Sequence, residues 1–266
     1  MTGSWLMRQT PYPDIDRLLD DLLHRIRQIL DTRLVGLYLY GSLVTGDFCP
    51  GVSDVDLLAA TRADIDQTEF DRLRELHLAF VGNHPEWDNR VEVAYLSVAG
   101  LRTFKTQESV MAVISPGEPF HFKAAGKEWL INWWQVRERG VALYGPDPKT
   151  LIEPISRQEF LDTVQEHTQH WREWVRDSRS RKGQAYARLT LCRALYAVVN
   201  GEQVSKRRAA LWAQECLPQQ VKLIEQALEW RKAEDDEGIE HEATFPETEC
   251  FVHFMIDQVE AVLGER

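Results

Sequence analysis

Residues 34–60, LVGLYLYGSLVTGDFCPGVSDVDLLAA, decide the fold. Residues 34–40 are a compact apolar run of strand formers, and Gly41-Ser42 closes it with a turn signal. A loop carrying Gly46, Pro50 and Gly51 follows, and residues 53–60 predict a second strand. Asp54 and Asp56 lie two apart in that strand. Period-two geometry places both carboxylates on one face and Val55 on the other. Two like charges side by side are costly unless a cation sits between them. Mg²⁺ accepts one or two carboxylates together with substrate phosphates. Gly41 permits close backbone approach. Ser42, at a helix start, would offer N–H and O–H to a phosphate.

Upstream, apolar spacing predicts a helix over 14–31, with Pro13 just before its first turn. Downstream, residues 66–81 predict an amphipathic helix and 90–96, RVEVAYL, a third strand. Glu92 is flanked there by Val91 and Val93, so it faces the aspartates' side if its strand is adjacent. It could bind a metal or take a proton from an attacking hydroxyl. This order implies an α/β unit on a small mixed sheet. Residues 145–154, GPDPKTLIEP, then mark a change. Helical spacing dominates beyond it, over 157–177, 184–200, 205–216, 218–232 and 247–264, with an acidic loop expected at 234–242. The expected class is α+β: an N-terminal domain over 1–152 and an all-α helical bundle over 153–266.

The chain has 266 residues and a formal charge of −11. The acidic balance argues against a nucleic-acid coat or an anionic-membrane binder. The first residues, MTGSWLMRQTPYPD, carry no apolar h-region, and no stretch reaches membrane-spanning length. Cys49, Cys192, Cys216 and Cys250 lack zinc or redox spacing and read as reduced, mostly buried thiols of a cytoplasmic protein. From Arg172 to Arg208 ten basic residues meet three acids, making this segment +7 and the remainder −18. Charge alone leaves two readings, a solvated helix face or a docking place for polyphosphate. No GxxxxGK[ST] or GxSxG occurs, which excludes a P-loop ATPase and a nucleophile-elbow hydrolase.

LYGSLVTGDFCPGVSDVDLL resembles the signature of the nucleotidyltransferase superfamily that includes polymerase-β-type enzymes. VRERGVALYGPDPKTLIEPISRQEF and RLTLCRALYAVVNGEQVSKRRAALWA resemble aminoglycoside adenylyltransferases of the streptomycin/spectinomycin type. The resemblance runs from about residue 34 to residue 264. It implies an enzyme, expected here as a monomer, that moves AMP from ATP to a hydroxyl of an aminoglycoside-type antibiotic, with Mg²⁺, as two ions, for cofactor. Gly41 and the phosphate-binding Ser42 and Ser53 would hold the nucleotide. Asp54, Asp56 and Glu92 would form the catalytic and metal-binding acids, with Glu92 as the base. Glu128 falls where the family has an acid near the nucleotide. Arg193 and Lys206 match residues that reach the triphosphate, and Trp230 an aromatic that packs by the nucleotide. Two members of the basic island would thus serve the triphosphate.

The chain departs from that pattern at Gly183-Gln184-Ala185-Tyr186, where streptomycin-modifying members carry an acid and a nearby His. This favours spectinomycin over streptomycin. Other readings are a nucleotidyltransferase acting on a protein or small metabolite, and a non-catalytic binding module. His167 and His170 are read as surface or boundary residues. Trp129, Trp133, Trp134, Trp171 and Trp174 are read as packing between domains, and Lys123 and Lys127 as solvated.

Overall fold

A computed structural model describes residues 10–232 and 242–264. The acidic stretch expected as a loop lies, apart from Glu242, outside the described residues. The chain forms two compact units. One runs to Thr45 and from Asp54 to Pro154, and the other combines Gly46–Ser53 with residues from Ile155 onward. The loop ahead of the DxD pair therefore packs with the helical unit.

The first unit contains α1 (Pro13–Leu30), β1 (Leu34–Tyr40), α2 (Ser42–Thr45), β2 (Val55–Thr61), α3 (Gln67–Asn83), β3 (Val91–Ser97), α4 (Val98–Thr103), β4 (Ser109–Ser115), β5 (Glu118–Ala125), α5 (Leu130–Arg139) and β6 (Val141–Tyr144). The strands make one sheet in the order β5-β4-β3-β2-β1-β6. β2 and β3 pair in parallel and every other neighbouring pair is antiparallel. A parallel pair needs a crossover, and α3 supplies it. That helix opens on a capping box, with Asp66 accepting from the Glu69 amide and Glu69 from the Asp66 amide. α1 carries Pro13 in its first turn and buries Ile15, Leu18, Leu19, Leu22, Ile26 and Leu30 against α3 and β1. The central strands β1, β2 and β3 are buried on both faces, which explains their near-continuous apolar runs.

The hairpin β4–β5 and the short edge strand β6 lie where the sequence reading placed no strand. β5 interrupts its apolar residues with Pro119, His121 and Lys123, as an edge strand tolerates. β6 is only four residues long. β2 also begins at Val55, so Asp54 sits immediately before the strand instead of inside it.

The helical unit contains α6 (Arg157–Trp174), α7 (Arg181–Asn200), α8 (Lys206–Cys216), α9 (Val221–Trp230) and α10 (Phe245–Gly264). α7 is central and packs against the other four helices. Gly201, at φ +74°, ends it in the left-handed conformation, with its N–H donating to the Ala197 carbonyl. Arg188 is fully buried on α7. Its guanidinium donates to Thr248 Oγ1 at 3.0 and 2.6 Å, the Leu223 carbonyl at 3.1 Å and Gln226 Oε1 at 2.7 Å. Burial lowers its pKa to about 10, which still leaves it charged near neutrality. Only Cys192 of the four cysteines is buried; Cys49 is half-buried, and Cys216 and Cys250 are exposed, contrary to the expected burial. No described helix is long and apolar enough to cross a membrane.

Candidate active site

Register places Tyr40, Asp56 and Glu92 in one row across β1, β2 and β3. Tyr40 pairs with Asp56 on the antiparallel side, and Asp56 with Glu92 on the parallel side. Directly paired residues share a face of a sheet. The Tyr40 hydroxyl donates to Glu92 Oε1 at 2.7 Å. The Glu92 pKa is raised, first by burial, while the Tyr40 hydrogen bond lowers it; Asp54 raises it, Lys123 lowers it and Glu118 raises it. Tyr40 is itself held well above its usual range, by burial and then by the charges of Glu92 and Asp56. A carboxylate in this setting is suited to accept a proton from a hydroxyl, because the partly dry environment raises its basicity.

Gly41 fixes how the chain leaves this row. Its φ is +72°, and a Cβ built there would lie 1.9 Å from Asp56 Oδ2. Glycine thus lets the turn press on the Asp56 carboxylate. Ser42 follows at the start of α2, with its Oγ buried and without a hydrogen-bond partner. A buried hydroxyl lacking a partner within the protein suits an oxygen-rich ligand. Ser53 is buried; its Oγ accepts from the Cys49 amide at 2.9 Å.

Among the described residues, no three His, Cys, Asp or Glu side chains gather closely enough to hold a metal ion. Asp54 outside β2, Asp56 and Glu92 therefore do not close into one three-ligand cluster. Asp54 and Asp56 provide hard oxygen donors, the chemistry Mg²⁺ takes together with phosphate oxygens. With Ser42 Oγ and the close Gly41 turn, this donor set fits a two-carboxylate Mg²⁺ site. Tyr40 already engages Glu92 Oε1.

The sequence reading missed Tyr40, which it took only as a strand former, and took Lys123 as merely solvated. Lys123 and Glu118 both act on Glu92 electrostatically, and they pair with each other at 3.2 Å. Alternation in β5 was the available signal, once β5 is known to continue the sheet beyond β4. Glu128 is exposed, and its Oε1 accepts from the Gly126 amide at 2.9 Å. Trp133 is fully buried and stacks on Trp129 at 5.4 Å, on a helix packed against β1.

In the helical unit, Arg193 is half-buried and its charge helps lower the His167 pKa, which burial mainly sets at about 4. Lys206 Nζ lies 3.7 Å from the centre of the Tyr186 ring. Trp230 is 8% exposed, with the Arg188 and Arg181 guanidinium carbons 5.0 and 5.7 Å from its ring centre. The departing stretch is largely structural. The Gly183 amide donates to the Ser180 cap, and buried Gln184 donates to the Arg179 carbonyl and accepts from Thr248. Ala185 is buried and Tyr186 is exposed. His167 and His170 pack against Trp174 at 5.0 and 5.3 Å.

The family profile described as "Nucleotidyltransferase domain" matches residues 21–110, and "Aminoglycoside adenylyltransferase, C-terminal domain" matches residues 150–258. The chain belongs to the aminoglycoside adenylyltransferases. It is 26% identical to an aminoglycoside (3'') (9) adenylyltransferase of Shigella flexneri, over 97% of this chain and all of that protein. It is 24% identical to a spectinomycin 9-adenylyltransferase of Staphylococcus aureus, over 90% of this chain and 93% of that one. A crystal structure of a spectinomycin adenyltransferase from Enterococcus faecialis with ATP and spectinomycin shares the fold. Its TM-score is 0.72 at 16% identity, covering 92% of this chain and 98% of that one. As an aminoglycoside adenylyltransferase the chain is an enzyme, which removes the reading of a non-catalytic binding module. The sheet-unit row of Tyr40, Asp56 and Glu92 lies within the nucleotidyltransferase match, and Lys206 and Trp230 lie within the adenylyltransferase-specific match.

Proposed function

We propose that this adenylyltransferase moves AMP from ATP to a hydroxyl of spectinomycin, in preference to streptomycin, and releases pyrophosphate. The observation that carries this reading is the row in which Tyr40 holds Glu92 beside Asp56. The names of the relatives, aminoglycoside and spectinomycin adenylyltransferases, support adenylyl transfer to such a drug.

Glu92 takes the proton of the acceptor hydroxyl as that oxygen attacks the α-phosphorus. Tyr40 orients the carboxylate by donating to Oε1. Asp54 and Asp56 are the residues to hold Mg²⁺, in a one- or two-ion arrangement. When bound, Mg²⁺ offsets the charge of the triphosphate. The Gly41 turn sets the position of Asp56, and Ser42 and Ser53 offer hydroxyls to phosphate oxygens. Arg193 and Lys206 are assigned to the triphosphate by the resemblance, Trp230 to packing by the nucleotide, and Glu128 to its vicinity. Rate enhancement then comes from positioning and charge stabilisation.

The preference for spectinomycin rests on residues 183–186. Their buried and capping roles leave Tyr186 exposed, with no acid to meet a cationic drug group. The test is expression in a drug-sensitive bacterium, with growth scored separately on spectinomycin and streptomycin. Resistance to spectinomycin alone is expected. Streptomycin resistance alone contradicts the preference, and sensitivity to both, with purified protein consuming Mg-ATP against another acceptor, replaces the drug with a protein or metabolite.

A further inference from the structure

Asp47 ties together three backbone stretches of the helical unit. Its Oδ2 accepts from Arg231 Nη1 at 2.7 Å and from the Arg207 amide at 3.2 Å. Its carbonyl accepts from Arg231 Nη2 at 3.0 Å. The Asp47 side chain is only 7% exposed and that of Arg231 21%, so the pair is shielded well beyond a surface ion pair. Arg207 stands in the first turn of α8, whose N–H groups favour a carboxylate.

The neighbours of these contacts give them meaning. Arg207 follows Lys206, Arg231 follows Trp230, and Asp47 begins the loop that ends at Ser53 and leads into Asp54. That loop is closed on itself. The Ser53 and Val52 amides donate to the Cys49 carbonyl at 2.9 and 3.2 Å, and the Cys49 amide donates to Ser53 Oγ at 2.9 Å. A shift of Asp47 is thus passed to Ser53 through a short, internally bonded segment. The same carboxylate fixes the backbone beside Lys206 and the side chain beside Trp230.

We propose that Asp47 is a positioning residue for nucleotide binding, holding the Ser53 loop, Lys206 and Trp230 in one arrangement through Arg231 and the α8 N-terminus. This rests on the proposed nucleotide roles of Ser53, Lys206 and Trp230. Asp47 touches none of the reacting atoms. It acts by setting where the phosphate- and base-facing groups stand, and such outer partners commonly change ligand affinity roughly 10- to 100-fold.

The test measures Mg-ATP binding by titration calorimetry for the full-length protein and its Asp47→Asn, Arg231→Gln and double variants, with steady-state KM for nucleotide and acceptor. Asp47→Asn keeps the side-chain shape, and thermal unfolding establishes that each variant is folded. The expected result is a roughly 10-fold or larger rise in the Mg-ATP dissociation constant for each single variant. The double variant should be no weaker than the weaker single one, and acceptor KM should stay unchanged. Unchanged nucleotide affinity with only a lower unfolding temperature would make Asp47 a structural staple and overturn the proposal. Additive losses, or an equal rise in acceptor KM, overturn it as well. Failure of the unaltered protein to bind Mg-ATP overturns the nucleotide reading itself, and this inference with it.

Discussion

The two units treat buried charge in opposite ways. On α7 of the helical unit, Arg188 is fully buried and surrounded by acceptors: Thr248, the Leu223 carbonyl and Gln226. In the sheet unit, Asp56 and Glu92 stand side by side in register, and Glu92 Oε1 accepts from a neutral tyrosine hydroxyl. A buried ion supplied with hydrogen bonds serves the fold, because removing it strands its partners. Carboxylates set side by side in register, one of them with a raised pKa, mark a place where function shapes the arrangement. The difference separates stability from function within one chain, and substitutions on either side should reveal it.

The largest effect is expected at Asp56. Asp56→Asn should lower turnover on the order of 10³-fold, because it removes a carboxylate meant for a cation. Its unfolding temperature should stay near the parent value, since asparagine keeps the side-chain shape. Joint loss of stability and turnover would put Asp56 in the same class as Arg188. Gly41→Ala comes next. A methyl group there meets Asp56 Oδ2 in a left-handed turn, and roughly 10²-fold slower turnover is expected from the displaced carboxylate. Turnover at the parent rate would show that the close approach has no catalytic consequence.

Arg188 is the counterpart. Arg188→Lys cannot reproduce the forked donor set, and a loss of roughly 3 kcal/mol is expected in denaturant unfolding. Activity per folded molecule should remain near the parent value; a selective loss of activity would blur the contrast. Tyr40→Phe should reduce turnover about 10-fold, as expected for a residue that only orients another, with nucleotide affinity unchanged.

The smallest effect concerns His77, whose ring bonds to the Tyr95 hydroxyl at 2.9 Å in the aromatic core of the sheet unit. Burial lowers its pKa from 6.5 to about 3. Between these values the unfolded chain binds the extra proton and the folded one does not, so stability falls as pH falls through that window. His77→Gln should flatten this acid slope in unfolding measured from pH 7 downward. An unchanged slope would place the acid sensitivity in other groups.

Much of the sheet unit was legible because β1 and β3 announce themselves as apolar runs bounded by turn residues. The DxD spacing and the Val-flanked Glu92 carried the acids. Three details depend on tertiary contacts. Asp54 lies outside β2 because the loop through Ser53 is closed on Cys49, and strand pairing starts at Val55, whose amide bonds to the Arg90 carbonyl. Tyr40 acquires its role only through pairing with β2 and the hydrogen bond to Glu92. Lys123 and Glu118 depend on β5 being the outer strand of a hairpin whose polar alternation resembles a loop. The helical unit gave up its helices through 3.6-residue spacing. The partners of Arg188 and Asp47, however, are 35 or more residues away, with the α8 contact of Asp47 160 residues distant, beyond any local pattern.

The most direct measurement is single-turnover transfer by Glu92→Gln, with Mg-ATP and spectinomycin, beside calorimetry of Mg-ATP binding. The account predicts unchanged nucleotide affinity and a loss of transfer of roughly 10²- to 10⁴-fold, the contribution of a positioned general base. Adenylylated drug formed at the parent rate would contradict it.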